Sequence, residues 1–470
     1  MSNDASSAAR STDFATLTLP PELADNLATL GYHVMTPIQA ESLPLMLAGR
    51  DVIGRGRTGS GKTAAFGLGL LARLDVKRFC VQTLVLCPTR ELADQVGEEI
   101  RRLARGLHNV KVLTLCGGVP IGPQRESLYH GAHIIVGTPG RIDDHLRRGS
   151  LSLDALEVLV LDEADRMLDM GFQDALDAII EVMPRRRQTL LFSATWSEAL
   201  APVAARVMQD PVTIEVDTDH DEQSIRQHFY GVESDGARLD ALRRLLLKFR
   251  PSSSVVFCNT RRDVQMVSDA LNDHGFDAVA LHGDMEQRDR DRTLILLANG
   301  SVSILVATDV AARGLDIEAL DAVFNYQLAH DMETHVHRVG RTGRAGGQGT
   351  AHSLVGERER GRLSLYETQQ DETITLEPLP ASSVLERTPF RPMMATLMID
   401  AGKKQKIRPG DIVGALTGEA GIDAAQVGKI KVLERNAWVA VHRDVADVAL
   451  THLNNGRLKG RSFRARRVSR

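Results

Sequence analysis

Three stretches of this 470-residue chain carry residue types suited to phosphate chemistry. In DVIGRGRTGSGKTAAF, the spacing is Gly56-x4-Gly61-Lys62-Thr63, with an apolar run before it and a helical segment after it. Glycines let backbone N–H groups approach phosphate oxygens, and the new helix adds its positive N-terminal end. Thr58, Gly59, Ser60 and Gly61 then form a cradle. Lys62 is placed to reach the β- and γ-phosphates, and the Thr63 hydroxyl to ligate Mg²⁺. A glycine turn without ligand is the plain alternative, but the flanking strand and helix argue for nucleotide binding.

VLVLDEAD ends an apolar run in Asp162-Glu163. A buried parallel strand delivers such carboxylates to the rim of the sheet, where ligands of α/β folds bind. Asp162 is suited to hold Mg²⁺, and Glu163 to orient and deprotonate an attacking water. HRVGRTGR adds Arg338, Arg341 and Arg344. These arginines fall in the second half, so the expected arrangement seats nucleotide between two lobes and completes the site on closure. An arginine finger of this kind is worth about 10³–10⁵ in rate.

The elements that position these groups repeat. TLVLCPTR (83–90) and SVVFCNTR (254–261) are 171 residues apart, and Thr138 and Thr308, each after an apolar run, are 170 apart. Two pairs at nearly one offset predict a duplicated unit. In each copy short β-branched runs alternate with helical periodicity, which predicts α/β architecture with parallel sheets covered on both faces. DTDHDEQ (217–223) reads as a linker between copies. Prolines between 369 and 391 mark a second linker, and the final stretch reads β–α–β–β–α–β.

Charge separates the ends. Residues 391–470 hold 16 Lys and Arg against 7 Asp and Glu, net +9, so the rest must carry −13 for the chain to reach −4. A basic module on an acidic body predicts a polyanionic partner. No apolar run approaches the roughly 18 residues of a membrane span, and the polar start MSNDASSAARSTDF lacks a signal-peptide core. Four cysteines without paired spacing suggest neither zinc nor disulfides. A cytoplasmic protein with a disordered tail over 1–13 is expected.

Together these residues resemble the DEAD-box ATP-dependent RNA helicases over roughly 14–365, with GYHVMTPIQ (31–39), PTREL (88–92), Gly117-Gly118, TPGR (138–141), SAT (193–195) and ATDVAARGLDI (307–317) in order. The resemblance implies two tandem RecA-like domains (14–216 and 224–368) and ATP with Mg²⁺ as ligands. It implies that Phe14 stacks on adenine, Gln39 bonds its edge and Asp316 contacts the ribose. Ser193 and Thr195 would couple nucleotide state to closure, and Arg341 and Arg344 would join Lys62, Asp162 and Glu163 in catalysis. Pro88, Thr89, Arg90, Gly118, Thr138, Gly140, Arg141 and Thr308 would hold the RNA backbone. Such contacts carry little sequence information.

The tail, AGKKQKIRPGDIVGALTG and VGKIKVLERNAWVAVHRD, looks like the RRM-like RNA-binding domain (392–470) of the DbpA type of bacterial helicase. That likeness implies large-subunit (23S-type) ribosomal RNA as target and a role in assembly of that subunit; a monomer is expected. RRMs usually stack bases on sheet aromatics. Here the first tail strand has none, and Trp438 is either a platform or core. Lys403, Lys404, Lys406 and Arg408 are the preferred RNA contacts. Local unwinding of short duplexes is the expected activity; an ATP-gated RNA clamp without strand separation and a DNA translocase are the alternatives.

Overall fold

The computed structural model describes residues 12–56, 59–196, 199–216, 225–312, 320–343, 349–370, 373–418 and 421–468. Thr58, Asp316, Arg344, the linker 217–223 and nearly all of the tail 1–13 lie outside the described residues. The chain divides near residue 219 into two compact units.

The first unit holds β1 (Val52–Arg55), β2 (Thr83–Leu86), β3 (Val112–Leu115), β4 (Ile134–Gly137), β5 (Val158–Asp162), β6 (Gln188–Ser193) and β7 (Val212–Glu215). They form one parallel sheet in the order β3-β4-β2-β5-β6-β1-β7. The strands are short, apolar runs because helices cover both faces: β2, β4, β5 and β6 are buried along their whole length.

The second unit repeats the plan. β8 (Ile225–Gly231), β9 (Ser254–Phe257), β10 (Ala278–Leu281), β11 (Ile304–Ala307), β12 (Ala322–Asn325), β13 (Gly349–Val355) and β14 (Leu376–Glu377) run in the order β10-β11-β9-β12-β13-β8-β14. Adding seven to each strand number of the first sheet reproduces the second. The likeness reaches side chains. Thr89 caps the helix Arg90–Leu103 by accepting from the Leu92 N–H, and Thr260 caps Arg261–Asp273 by accepting from the Asp263 N–H. Those helices bury Ala93, Val96, Gly97 and Ile100 in one, and Val264, Val267, Ser268 and Leu271 in the other. Each pair is separated by the offset read from the sequence, the stripe of an amphipathic helix in the same phase.

Part of the stretch expected as the second linker is docked. β14 pairs with β8, and Val384 is buried in the core of the second sheet with Leu379 and Leu385 against it. A two-residue strand and a short 3₁₀ turn have no periodicity to read, so the prolines alone suggested a connector.

The tail has the expected order: β15 (Met394–Ile399), the helix Pro409–Thr417, β16 (Val427–Val432), β17 (Ala437–His442), the helix Ala446–Asn455 and β18 (Ala465–Arg467). Its antiparallel sheet runs β16-β17-β15-β18. Leu397, Ile399, Val439 and Val441 pack on the two helices, so strand alternation sends Thr396, Met398 and Trp438 to the other face. That face meets the helix Gln287–Ala298 and the turn after it. Trp438 clusters with Met398 and Ile295, and Thr396 Oγ1 bonds Asn299 Nδ2 at 3.1 Å and the Ser301 hydroxyl. Trp438, only 7% exposed, is therefore packing against the second parallel-sheet unit from the face where RRMs usually stack bases.

Candidate nucleotide site and nucleic-acid interface

Sheet order divides the rim of the first unit. β5, β6 and β1 are neighbours, so their C-terminal ends bring Asp162, Ser193 and the glycine loop side by side. The Gly56 N–H donates to Ser193 O at 3.1 Å, tying the start of the loop to the end of β6. Gly61 has φ of +92° and caps the helix Lys62–Ala72; a Cβ there would sit 2.5 Å from Gln39 Nε2. Only glycine suits both that conformation and that approach.

Gln39 is more mechanical than the resemblance implies. Its Nε2 donates to Gly61 O at 3.0 Å, its Oε1 accepts from Thr36 N, and Thr36 Oγ1 donates to Ser60 O at 2.8 Å. The residue expected to bond the adenine edge thus also clamps the phosphate loop, with Thr36 beside it. Phe14 is in the core, edge-on to Tyr32 at 5.9 Å and 6% exposed, which leaves little ring surface for a base.

The Lys62 ammonium is buried and donates to Gly56 O at 2.7 Å. Ser60 Oγ is buried without a hydrogen-bond partner among the described residues. A phosphate oxygen would satisfy it, and buried polar groups normally have such partners. Thr63 is partly exposed at the helix start. Burial pushes the Asp162 carboxyl up to about 7, against the opposing charge of Lys62.

Glu163 sits in left-handed backbone at φ 52°, and its carboxylate accepts from Arg166 Nη1 at 2.8 Å, both side chains nearly out of water. Asp165 stands in the same acidic run, but no spacing in the sequence marks it for a role. Its Oδ2 accepts from the Thr195 N–H and hydroxyl at 3.0 and 2.8 Å. Burial pushes this carboxyl up, but donors from Thr195 and Ser193 outweigh it and hold the group below its usual range. The single Ser193 hydroxyl proton also faces Thr195 O. In a sequence, an acid in the first turn of a helix looks like an ordinary surface cap; only the return of β6 beside β5 shows otherwise.

β3, β4 and β2 form the other half of the rim. Pro88, Thr89 and Arg90 follow β2, Gly118 follows β3, and Thr138, Gly140 and Arg141 follow β4. Arg90 keeps Nε and Nη1 buried without a hydrogen-bond partner among the described residues. Gly140 is exposed with open space where a Cβ would be. Arg141 donates to Gln124 Oε1 at 2.7 Å and Val119 O at 2.9 Å, bracing the segment that follows Gly118.

In the second unit, Thr308 follows β11 as Thr138 follows β4. Arg338 departs from its grouping with the other arginines. It is fully buried, bonds both Asp309 oxygens at 2.6 and 2.8 Å, and donates to Asn259 Oδ1 and Gln327 O. Arg341 is buried at 3% exposure.

In the tail, Lys403–Gln405 forms one 3₁₀ turn that Lys406 ends at φ 60°, and Arg408 precedes the helix Pro409–Thr417. Lys403, Lys404, Lys406 and Arg408 are all exposed. The backbone under them is fixed, with Lys403 N donating to Leu433 O and Lys404 N to Glu434 O at 2.9 and 3.0 Å. Among the described residues no helix is long and apolar enough to cross a membrane.

Residues 36–203 match the DEAD/DEAH box helicase family, 237–346 the helicase conserved C-terminal domain and 396–467 the DbpA RNA binding domain. The chain is 55% identical over 456 residues to the ATP-dependent RNA helicase DbpA of Escherichia coli K12, covering 97% of this chain and 99% of that one. It is 45% identical over 357 residues to the DEAD-box ATP-dependent RNA helicase CshA of Bacillus cereus, covering 76% and 68%. Among solved structures, S. cerevisiae Dbp5 bound to RNA and ADP BeF3 matches with a TM-score of 0.71 and 31% identity, over 78% of this chain and 96% of that one.

Proposed function

Because this chain belongs to the DEAD-box ATP-dependent RNA helicases, ATP-hydrolysing enzymes that it joins to a DbpA-type RNA-binding domain, we propose that it uses ATP turnover to separate short RNA duplexes locally. Its tail directs it to large-subunit ribosomal RNA, where it acts as a cytoplasmic monomer in assembly of that subunit. The domains are 14–216, 224–368 extended by the docked segment that carries β14 and Val384, and 392–470.

One observation carries the reading. The strand order sets the phosphate loop, Asp162 and Ser193 on one half of a rim, and Arg90, Gly118, Thr138 and Arg141 on the other half of the same rim. Triphosphate and RNA backbone thus share one sheet rim, with the Ser193–Thr195–Asp165 contacts on the triphosphate half.

In the roles assigned, Lys62 leaves Gly56 O for phosphate oxygens, Ser60 and the loop N–H groups hold them, and Glu163, oriented by Arg166, takes a proton from water. Arg341 and Arg344 contribute positive charge. Thr63 and Asp162 offer hydroxyl and carboxylate oxygens, the hard donors Mg²⁺ prefers, and the buried Asp162 gains most from a cation nearby. Bound there, Mg²⁺ supplies charge neutralisation to the phosphoryl oxygens.

The test is steady-state ATPase of the full chain with a panel of large-subunit ribosomal RNA fragments, unrelated RNAs and DNA, followed by strand displacement on a short duplex. Stimulation confined to ribosomal fragments and release of the strand support the reading. Equal stimulation by DNA overturns it, and ATP-dependent retention of RNA without release favours the clamp.

A further inference from the structure

The cationic turn of the tail is cross-braced from a loop 53 residues away in sequence. Lys459 Nζ donates to Lys406 O at 2.6 Å and lies 3.2 Å from Asp411 Oδ2. Asp411 Oδ2 also accepts the Arg408 N–H at 2.7 Å. Both bracing partners are non-glycine residues in left-handed backbone, Lys406 at φ 60° and Lys459 at φ 50°. Side chains rarely hold that conformation unless the surroundings fix it. The loop that carries Lys459 is itself closed by the paired Leu458 and Arg461. The Arg408 N–H, with Lys459 helping, holds the Asp411 carboxyl below its usual range.

We propose that Lys459 is a positioning residue: with Asp411 it holds the turn Lys403–Arg408 in the shape that presents its charges to RNA, and it neutralises no phosphate itself. This rests on the reading that the turn binds RNA. Two of the three donors of the Lys459 ammonium are taken within the domain and its charge is paired with Asp411, so one donor is left for a ligand. Asp411 separates shape from charge. A carboxylate among cations should repel RNA, so simple charge attraction predicts that Asp411→Asn tightens binding. A shaped turn predicts that it loosens binding.

The experiment measures affinity of the full-length protein for fluorescein-labelled large-subunit ribosomal RNA fragments across a salt series. Lys459→Met and Asp411→Asn should each weaken binding about three- to ten-fold with unchanged salt slope. The double variant should be no worse than the weaker single one, because both break one brace. Lys459→Arg should restore most of the affinity. As the contrast, Lys406→Met should lower the slope by about 0.7–0.9. Tighter binding by Asp411→Asn, unchanged binding by Lys459→Met, or a slope loss for Lys459→Met like that of Lys406→Met overturns the proposal. If joint replacement of Lys403, Lys404, Lys406 and Arg408 by Met leaves affinity intact, the RNA-binding reading of the turn fails, and the brace with it.

Discussion

The Asp165 carboxylate takes both donors of Thr195, its N–H at 3.0 Å and its hydroxyl at 2.8 Å, across thirty residues of chain. It joins the segment after β5 to the segment after β6, one flanking the candidate nucleotide site and the other leading from it. A change of position at either end is therefore felt at the other. Thr195→Val keeps the shape and removes the hydroxyl donor. Loss of a hydrogen bond to a charged group is worth about 1.5–3 kcal/mol. ATP should still bind, while RNA-stimulated turnover falls about 10- to 100-fold. Nucleotide titration and steady-state ATPase separate the two effects, and turnover at the original rate removes the coupling role.

Glu163→Gln tests the base. The amide still accepts from Arg166 but takes no proton from water. Hydrolysis should drop about 10²–10⁴-fold, the usual worth of general base catalysis, with ATP and RNA binding retained. The same change removes the Glu163 charge from the Arg166 guanidinium, 3% exposed, and leaves it that of Asp165. Removing one partner of a buried pair costs about 3–5 kcal/mol, less where a hydrogen bond survives. A lower melting temperature should accompany the slow turnover. Normal hydrolysis excludes Glu163 as base.

Acid should loosen the second unit. Burial, then the charge of neighbouring His228, brings His352 down to about 3; burial, then Arg338, brings His335 down to about 4. His352 lies in a box of rings from His228, Tyr230, Phe249 and Phe324, with Nε2 unpaired among the described residues. Both groups stay neutral in the fold while the unfolded chain binds protons near 6.5. Their contribution is complete above that pH and is lost as pH falls from about 6.5 toward 4 and below. Each proton adds about 1.4 kcal/mol per pH unit to the slope. Urea unfolding at several pH values should show the fall, and His352→Phe should flatten it by close to one proton. An unchanged slope in that variant would falsify the assignment.

Trp438→Ala distinguishes packing from base stacking. The ring lies against Ile295 and Met398, and its Nε1 donates to Asn436 Oδ1 at 3.0 Å. Truncating a buried Trp costs about 3–5 kcal/mol. Stability in urea should fall by a figure of that order, with the salt slope of RNA binding unchanged. Intact stability with RNA affinity reduced would mean that Trp438 stacks on a base.

Local chemistry made the repeat and the phosphate loop legible. Parallel strands buried on both faces must be short apolar runs, and a P-loop needs its glycines, lysine and threonine in fixed order. TLVLCPTR and SVVFCNTR therefore disclosed β2 and β9, which hold the same place in two identically ordered sheets. Pattern carried less where contacts decide. Arg338 and Arg341 look alike in HRVGRTGR, yet Arg338 is committed to Asp309. The family resemblance assigns Gln39 a base contact, and nothing in its pattern shows the clamp on Gly61.

By itself the sequence determined the two-sheet plan, the RRM-like order of the tail, and the residue types at the phosphate loop and the acidic strand end. These follow from periodicity and from spacings of a few residues, which local backbone geometry enforces. Only the tertiary structure decided that Asp165 serves Thr195, that Trp438 is covered by Ile295, and that Lys459 braces Lys406. Each of those pairs is far apart along the chain. Their meeting depends on which strand lies beside which and on how loops close, and no run of neighbouring residues encodes that.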